Sequence, residues 1–334
     1  MTYDVHAHCI PQALVDFLRV EGAELGVEIV KVERGEVAVI AERVKAGPLR
    51  PELLDLDRRL EAMDATGIDV QVLSSWIDLT AYALESGRGA TYSRHFNALL
   101  AEEAARYPHR FMALATVPLQ APEAAAEELV FAVTELGMVG VEIATTVDGA
   151  DLDQAGLEPF WQAAADLGCI VLIHPYAPLA GVDLSRYFLD NLVGRPAEST
   201  VTVAYLILSG LFDRHPDLHI VLVHGGGFIP FQIGRIERGF RAVPGRVAVD
   251  ATRSPLEVAG SLYYDTVLHS PQALRFLIDF VGTEHVLLGS DYPFEMGDPD
   301  PLATLQQVPG LTAAELTAIS TSNLERLLSR LSAT

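Results

Sequence analysis

Tyr3–His8 reads YDVHAH, a short β-favouring run that ends in two histidines. The opening strand of a doubly wound nucleotide-binding sheet usually leads instead into a glycine-rich phosphate turn. Working outward from this run, seven more short apolar segments follow: Val70–Ser75, Met112–Pro118, Val139–Ala144, Ile170–His174, Ile220–His224, Leu262–Val267 and Val286–Ser290. Amphipathic stretches with helical spacing separate them, among them Glu52–Thr66, Ser93–Tyr107, Pro122–Leu136, Glu158–Leu167, Ser199–Arg214 and Pro271–Phe280. Gly67, Gly137 and Gly168 stand where left-handed residues would close three of these helices. Eight strand–helix units pair in parallel through right-handed crossovers, which predicts an α/β fold, a closed (β/α)8 TIM barrel.

Residues 26–44 interrupt that rhythm. They contain VEIVKVERGEVAVIAERV, two alternating runs that meet at Arg34–Gly35, and so predict a small β-hairpin insertion after the first strand. The insertion emerges at the mouth of the barrel, where it is expected to form part of a lid. With it included, residues 1–334 read as one barrel domain.

The composition is that of a globular chain, half hydrophobic and one-fifth charged, with ample apolar material for a core. Its formal charge of −22 repels phosphate backbones and anionic headgroups, so neither nucleic acid nor membrane is an expected partner. An anionic small molecule would bind only where arginines reverse the field. Cys9 and Cys169 lie in apolar runs and are expected to be buried free thiols in a reducing compartment. The opening MTYDVHAH lacks a basic segment followed by an apolar core, and no run reaches about 18 apolar residues. The expectation is a soluble cytoplasmic protein.

His6 and His8, two residues apart on a strand, face the same side of it, and two neutral imidazoles so placed are able to share one metal ion. His174 ends the fifth predicted strand, His224 ends the sixth and opens Gly225–Gly227, and Asp291 follows the eighth. Barrel enzymes carry their chemistry at these C-terminal strand ends, which is where all five side chains fall. His95, His109, His215 and His285 fall on helices or turns and read as surface residues. His219 starts a strand at the far end of the barrel, and His269 stands at the mouth with no assigned role.

The phrases DVHAH, LIHP, HGGG and GSDYPF, in this order, resemble the amidohydrolase superfamily, and more closely its aminocarboxymuconate-semialdehyde decarboxylase branch, the amidohydrolase-2 group. Further matching phrases are RLEAMDATGIDVQV (59–72), VPLQAPE (117–123), GRPAEST (194–200), LILSGLFDRHP (206–216) and SLYYD (261–265). The resemblance implies one divalent metal, zinc before manganese, held by His6, His8, His174 and Asp291, with His224 as general acid/base. It also implies that Arg50 and Arg235 bind a small carboxylated substrate, with Arg235 reaching the partner's site in a homodimer. Two departures bear on the substrate. Tyr176 stands where the branch usually has tryptophan, and Tyr187–Asn191 replaces a tryptophan-rich stretch. The implied activity is non-oxidative decarboxylation of an unsaturated or aromatic carboxylate. The alternatives are a metal-dependent hydrolase or hydratase on the same scaffold, and a binding scaffold whose metal is structural.

Overall fold

The computed structural model describes residues 1–176, 179 and 181–331. Eight parallel strands form one sheet: β1 (Tyr3–His8), β2 (Val70–Ser74), β3 (Phe111–Ala115), β4 (Gly140–Ala144), β5 (Ile170–His174), β6 (His219–Leu222), β7 (Tyr263–Asp265) and β8 (Val286–Leu287). They neighbour one another in chain order. The sheet closes on itself where Val5 N donates to Leu288 O, Asp291 N to His6 O and His8 N to Tyr292 O, at 2.9, 2.8 and 2.8 Å. The chain is therefore a (β/α)8 barrel, as its strand–helix alternation predicts.

Helices Leu56–Thr66, Ser86–Ala105, Pro122–Thr134, Glu158–Leu167, Arg195–Leu208 and Pro271–Val281 pack around it. Gly67 and Gly168 cap two of them with φ of 71° and 59°, the left-handed geometry that ends a helix without a Cβ penalty. The stretch expected as one helix from Glu52 is broken at Asp55. Its side chain accepts from Asp57 N and Arg58 N and so starts a new helix at Leu56.

The insertion is larger than a hairpin. Val27–Val32 and Gly35–Ile40 pair antiparallel as expected, but Val44–Ala46 adds a third strand, and a helix, Gln12–Leu25, separates the sheet from β1. Gly47 and Pro48, just past this third strand, line the cavity at the barrel mouth.

Two layers of core follow from the pleat. One cluster lies between the sheet and the helices. The other includes Tyr3, Val5, Val70, Val72, Leu114, Leu172, Val221 and Leu287 and fills the barrel interior. Leu324 and Leu327, from the helix Asn323–Leu328, join this inner cluster and plug the end opposite the site. Each such buried leucine contributes about 1.5–3 kcal/mol of apolar transfer.

β1 departs from simple alternation. Its register against β2 slips between Asp4 and Ala7. Strict period-two pleating would put Asp4 on the same face as His6 and His8. The slip lets Tyr3 and Val5 point into the inner core, and then turns His6 and His8 inward as well. Asp4 is left on the outer side of the wall.

Candidate active site

Each histidine of the expected cluster has its outer ring nitrogen occupied. His6 Nδ1 meets Asp265 Oδ2 at 2.7 Å, His8 Nδ1 meets Ser75 O at 2.8 Å, and His174 Nδ1 meets Pro175 O at 2.8 Å. With acceptors there, the proton of each neutral ring sits on Nδ1, and three Nε2 lone pairs turn inward. The three rings stand nearly perpendicular to one another, at 83°, 76° and 83°, with centroids 5.1–5.3 Å apart. His6 Nε2 and His8 Nε2 lie 3.2 Å apart, and Asp291 Oδ1 is 3.1 Å from His8 Nε2. Donor atoms of His6, His8, His174 and Asp291 all fall within 4.8 Å of one another.

Lone pairs packed this closely repel unless a cation lies between them, so the donor set fits a divalent metal. Electrostatics agree. Burial works against a charge on His8, yet Glu142 and Asp291 push its pKa up to about 9. His174 is held well below the usual range by burial and by the neighbouring imidazoles. Burial opposes ionisation of Asp291, but His6, His224 and His8 hold it well below the usual carboxylate range. The buried carboxylates Glu142 and Asp291 thus draw positive charge to the cluster, as a site for a metal cation requires.

His224 sits beside this cluster. Its Nε2 is 3.3 Å from Asp291 Oδ2, the oxygen that does not approach His8, and its ring centroid is 5.1 Å from that of His174. The side chain keeps partial exposure toward a cavity of about 470 Å³. His224 has φ of 53°, and Gly225, Gly226 and Gly227 continue at 59°, 73° and 63°. A Cβ on Gly226 would lie 2.5 Å from the Tyr264 ring, and one on Gly227 would lie 2.2 Å from Pro196 O. Only glycine permits both the turn and that approach. Asp291 and His269 are also left-handed, at 59° and 54°, and both line the cavity, which is the pattern of backbone strain at functional positions.

Arg50 lines the same cavity and pairs with Glu295 at 2.7 Å. Arg235 does not. It is exposed on the helix Ile229–Ala242, outside the cavity of its own chain. Of the histidines expected at the surface, His95 and His109 are exposed and His285 is half-buried. His215 is a correction. It is buried and meets Glu158 Oε1 at 2.7 Å, because its ring packs beneath the helix that Glu158 begins. Cys9 and Cys169 are free and buried as expected.

Several supporting residues escaped the sequence reading. Buried Arg59 donates to His8 O and Gln71 Oε1, at 2.5 and 2.9 Å, and Gln71 donates to Asp4 at 2.8 Å. Asp4 accepts from His6 N, Ser290 N and Ser290 Oγ. This chain of bonds grips the backbone of β1 and of Ser290, next to Asp291, from outside the barrel. Asp265 receives Gly225 N as well as His6, so it orients a ring and the glycine turn together. Glu142 is buried 3.6 Å from His8 Nδ1, and burial pushes its pKa up to about 7. The signal available in sequence was positional only: Asp265 and Glu142 lie on the inner strands, near the ends that carry the histidines.

A family model described as Amidohydrolase matches residues 3–330. The 2-amino-3-carboxymuconate-6-semialdehyde decarboxylase of Dictyostelium discoideum is 34% identical over 274 residues, 82% of this chain and 74% of its own. Among solved structures, 5-carboxyvanillate decarboxylase from Sphingomonas paucimobilis superposes with a TM-score of 0.83 at 26% identity, covering 98% of each chain. A dihydroxybenzoic acid decarboxylase from Polaromonas sp. JS666, with bound manganese and 2-nitroresorcinol, superposes with a TM-score of 0.79 at 26% identity, covering 98% of this chain and 96% of its own.

Proposed function

The chain belongs to the amidohydrolase family, matched over residues 3–330, and on that premise we propose that it is a metal-dependent, non-oxidative decarboxylase of an unsaturated or aromatic carboxylate. The observation that carries this reading is the convergence of three imidazole lone pairs and one carboxylate beside His224, at the floor of a cavity with apolar walls.

His6, His8, His174 and Asp291 are the ligands in this reading. Three nitrogens and one oxygen suit zinc, and manganese, present in the dihydroxybenzoic acid decarboxylase, is accommodated as well. A divalent cation bound there supplies positive charge that draws electron density from a substrate oxygen. The chain's own groups do the rest. Arg50 forks onto a carboxylate. Trp76 and Phe294 offer flat apolar surface to a ring. Loss of CO2 breaks a carbon–carbon bond and leaves its electron pair on carbon, which takes up a proton. His224 holds and delivers that proton, and Asp291 Oδ2 keeps its ring oriented.

Arg235 acts, in the same reading, from the partner of a homodimer. Its exposure outside its own cavity supports this, as does Phe231, one turn earlier on the same helix. Phe231 is 76% exposed and packs against exposed Phe276, an apolar patch beside Arg235. No helix among the described residues is long and apolar enough to cross a membrane. The buried free thiols suit a reducing compartment, and we place the enzyme in the cytoplasm as one domain spanning 1–334.

The test is a product assay on purified protein with a panel of aromatic and unsaturated carboxylates, paired with metal analysis. The expected result is about one divalent ion per chain and release of CO2 with the decarboxylated product, both lost on chelation. Formation of a hydrated or ring-opened acid without CO2 would overturn the reading in favour of a hydratase or hydrolase.

A further inference from the structure

The cavity carries a polar pair that the proposed mechanism leaves without a role. Asp78, in the turn Ile77–Leu79 after β2, and Arg195, the first residue of the helix Arg195–Leu208, both line it. Arg195 Nη1 donates to Pro175 O at 2.5 Å, the same carbonyl that accepts from His174 Nδ1. The guanidinium is thereby fixed against the wall that carries the metal ligands. Its Nη2 faces Asp78 Oδ1 across 3.9 Å.

That gap exceeds the roughly 2.7–3.2 Å of a direct N–H···O bond. No donor among the described residues reaches the Asp78 carboxylate, and Arg195 at 3.9 Å is its nearest ion-pair partner. Burial pushes the Asp78 carboxyl up, and Arg195 offsets this only in part. A half-buried acceptor short of protein donors and a cation with a free N–H thus stand opposite each other at the cavity wall, and Trp76, Ile77 and Phe294 line the same cavity.

We propose that Asp78 and Arg195 form a recognition fork for a hydroxyl group on the substrate. The hydroxyl oxygen sits between them, donating its proton to Asp78 and accepting a hydrogen bond from Arg195. One oxygen at about 2.8 Å from each partner spans such a gap. A hydroxyl is suited because it is donor and acceptor at one atom. A methoxy group offers only an acceptor, and a bare C–H offers neither, so either one covers the half-buried Asp78 carboxylate without replacing the water it displaces. The fork rests on the decarboxylase reading only in taking the ligand to be a carboxylate.

The test is calorimetric binding of benzoate, its three monohydroxy derivatives and the methyl ether of the tightest one to the manganese-loaded protein. The expected result is that one hydroxybenzoate binds about tenfold or more tightly than benzoate and than its own ether, the scale of a hydrogen bond to a charged group. In Asp78→Val this preference collapses to about twofold or less, with benzoate binding undiminished because Arg195 is freed from its counter-charge. Asp78→Asn has the native volume and an acceptor oxygen without the charge, and is expected to show an intermediate preference, which separates recognition from packing. An unchanged preference in Asp78→Val overturns the proposal, as does failure of every hydroxybenzoate to outbind benzoate in the unaltered protein. CO2 release measured on the same samples judges the reaction separately. Hydroxyl selectivity without CO2 from any carboxylate leaves the fork standing and removes the decarboxylase reading, and CO2 without selectivity does the reverse.

Discussion

His224 and His174 differ in what they touch, and on the proposed mechanism that difference gives proton transfer to one and metal binding to the other. His174 is buried with its Nδ1 on Pro175 O, leaving one lone pair, at Nε2, that turns toward the cluster. His224 lies against the far oxygen of Asp291 and opens to the cavity. Replacement of His224 by alanine is therefore expected to leave metal content and melting temperature near the native values. Turnover should fall about 10²-fold or more, the scale of a lost general acid or base. Metal analysis beside a kcat measurement checks this. A metal-free His224→Ala protein would make His224 a ligand and send the search for the proton donor elsewhere.

The turn after β6 has a second requirement besides its histidine. Four consecutive residues of positive φ, His224–Gly227, fold the chain back between Tyr264 and Pro196, and Gly225 N is tied to Asp265. Gly226→Ala asks a Cβ to occupy a point 2.5 Å from the Tyr264 ring at a φ of 73°. The strained backbone and the clash together are expected to cost about 2–4 kcal/mol, seen as a lowered midpoint in denaturant unfolding. Because Asp265 holds this turn and His6 at once, turnover should fall as well, with His224 itself intact. A variant with native stability and native kcat would show that the turn tolerates a side chain and that its glycines serve no packing role.

Arg235 poses a question only the whole assembly answers. It is solvent-exposed and does not line its own cavity. If it serves the neighbouring subunit, a His224→Ala chain and an Arg235→Ala chain, each inactive alone, should recover part of the activity when mixed into heterodimers. One of the two hybrid sites then holds an intact His224 and receives an intact Arg235. Heterodimers verified by differential tagging that show no recovery would place Arg235 outside the site.

How much of this was legible in advance follows from the range of the interactions involved. The eight strands and the positions of His6, His8, His174, His224 and Asp291 at their ends are encoded locally, by apolar runs, helical spacing and capping glycines. Once such units close into a barrel, their C-terminal ends have to converge. Local pattern by itself therefore determined the fold and brought the cluster together. The tertiary structure alone decided the phase of β1, because the slip between Asp4 and Ala7 depends on pairing with β2 and β8, not on the hexapeptide's own alternation. It likewise decided that Arg59, twelve residues from Gln71 in the chain, reaches His8 through the barrel wall, and that His215 is buried. Asp78 and Arg195 meet 117 positions apart, one in the turn after β2 and the other at the start of the helix Arg195–Leu208. No periodicity relates such residues, since a side chain's long-range neighbours are set by how distant segments pack, and packing is a property of the closed barrel.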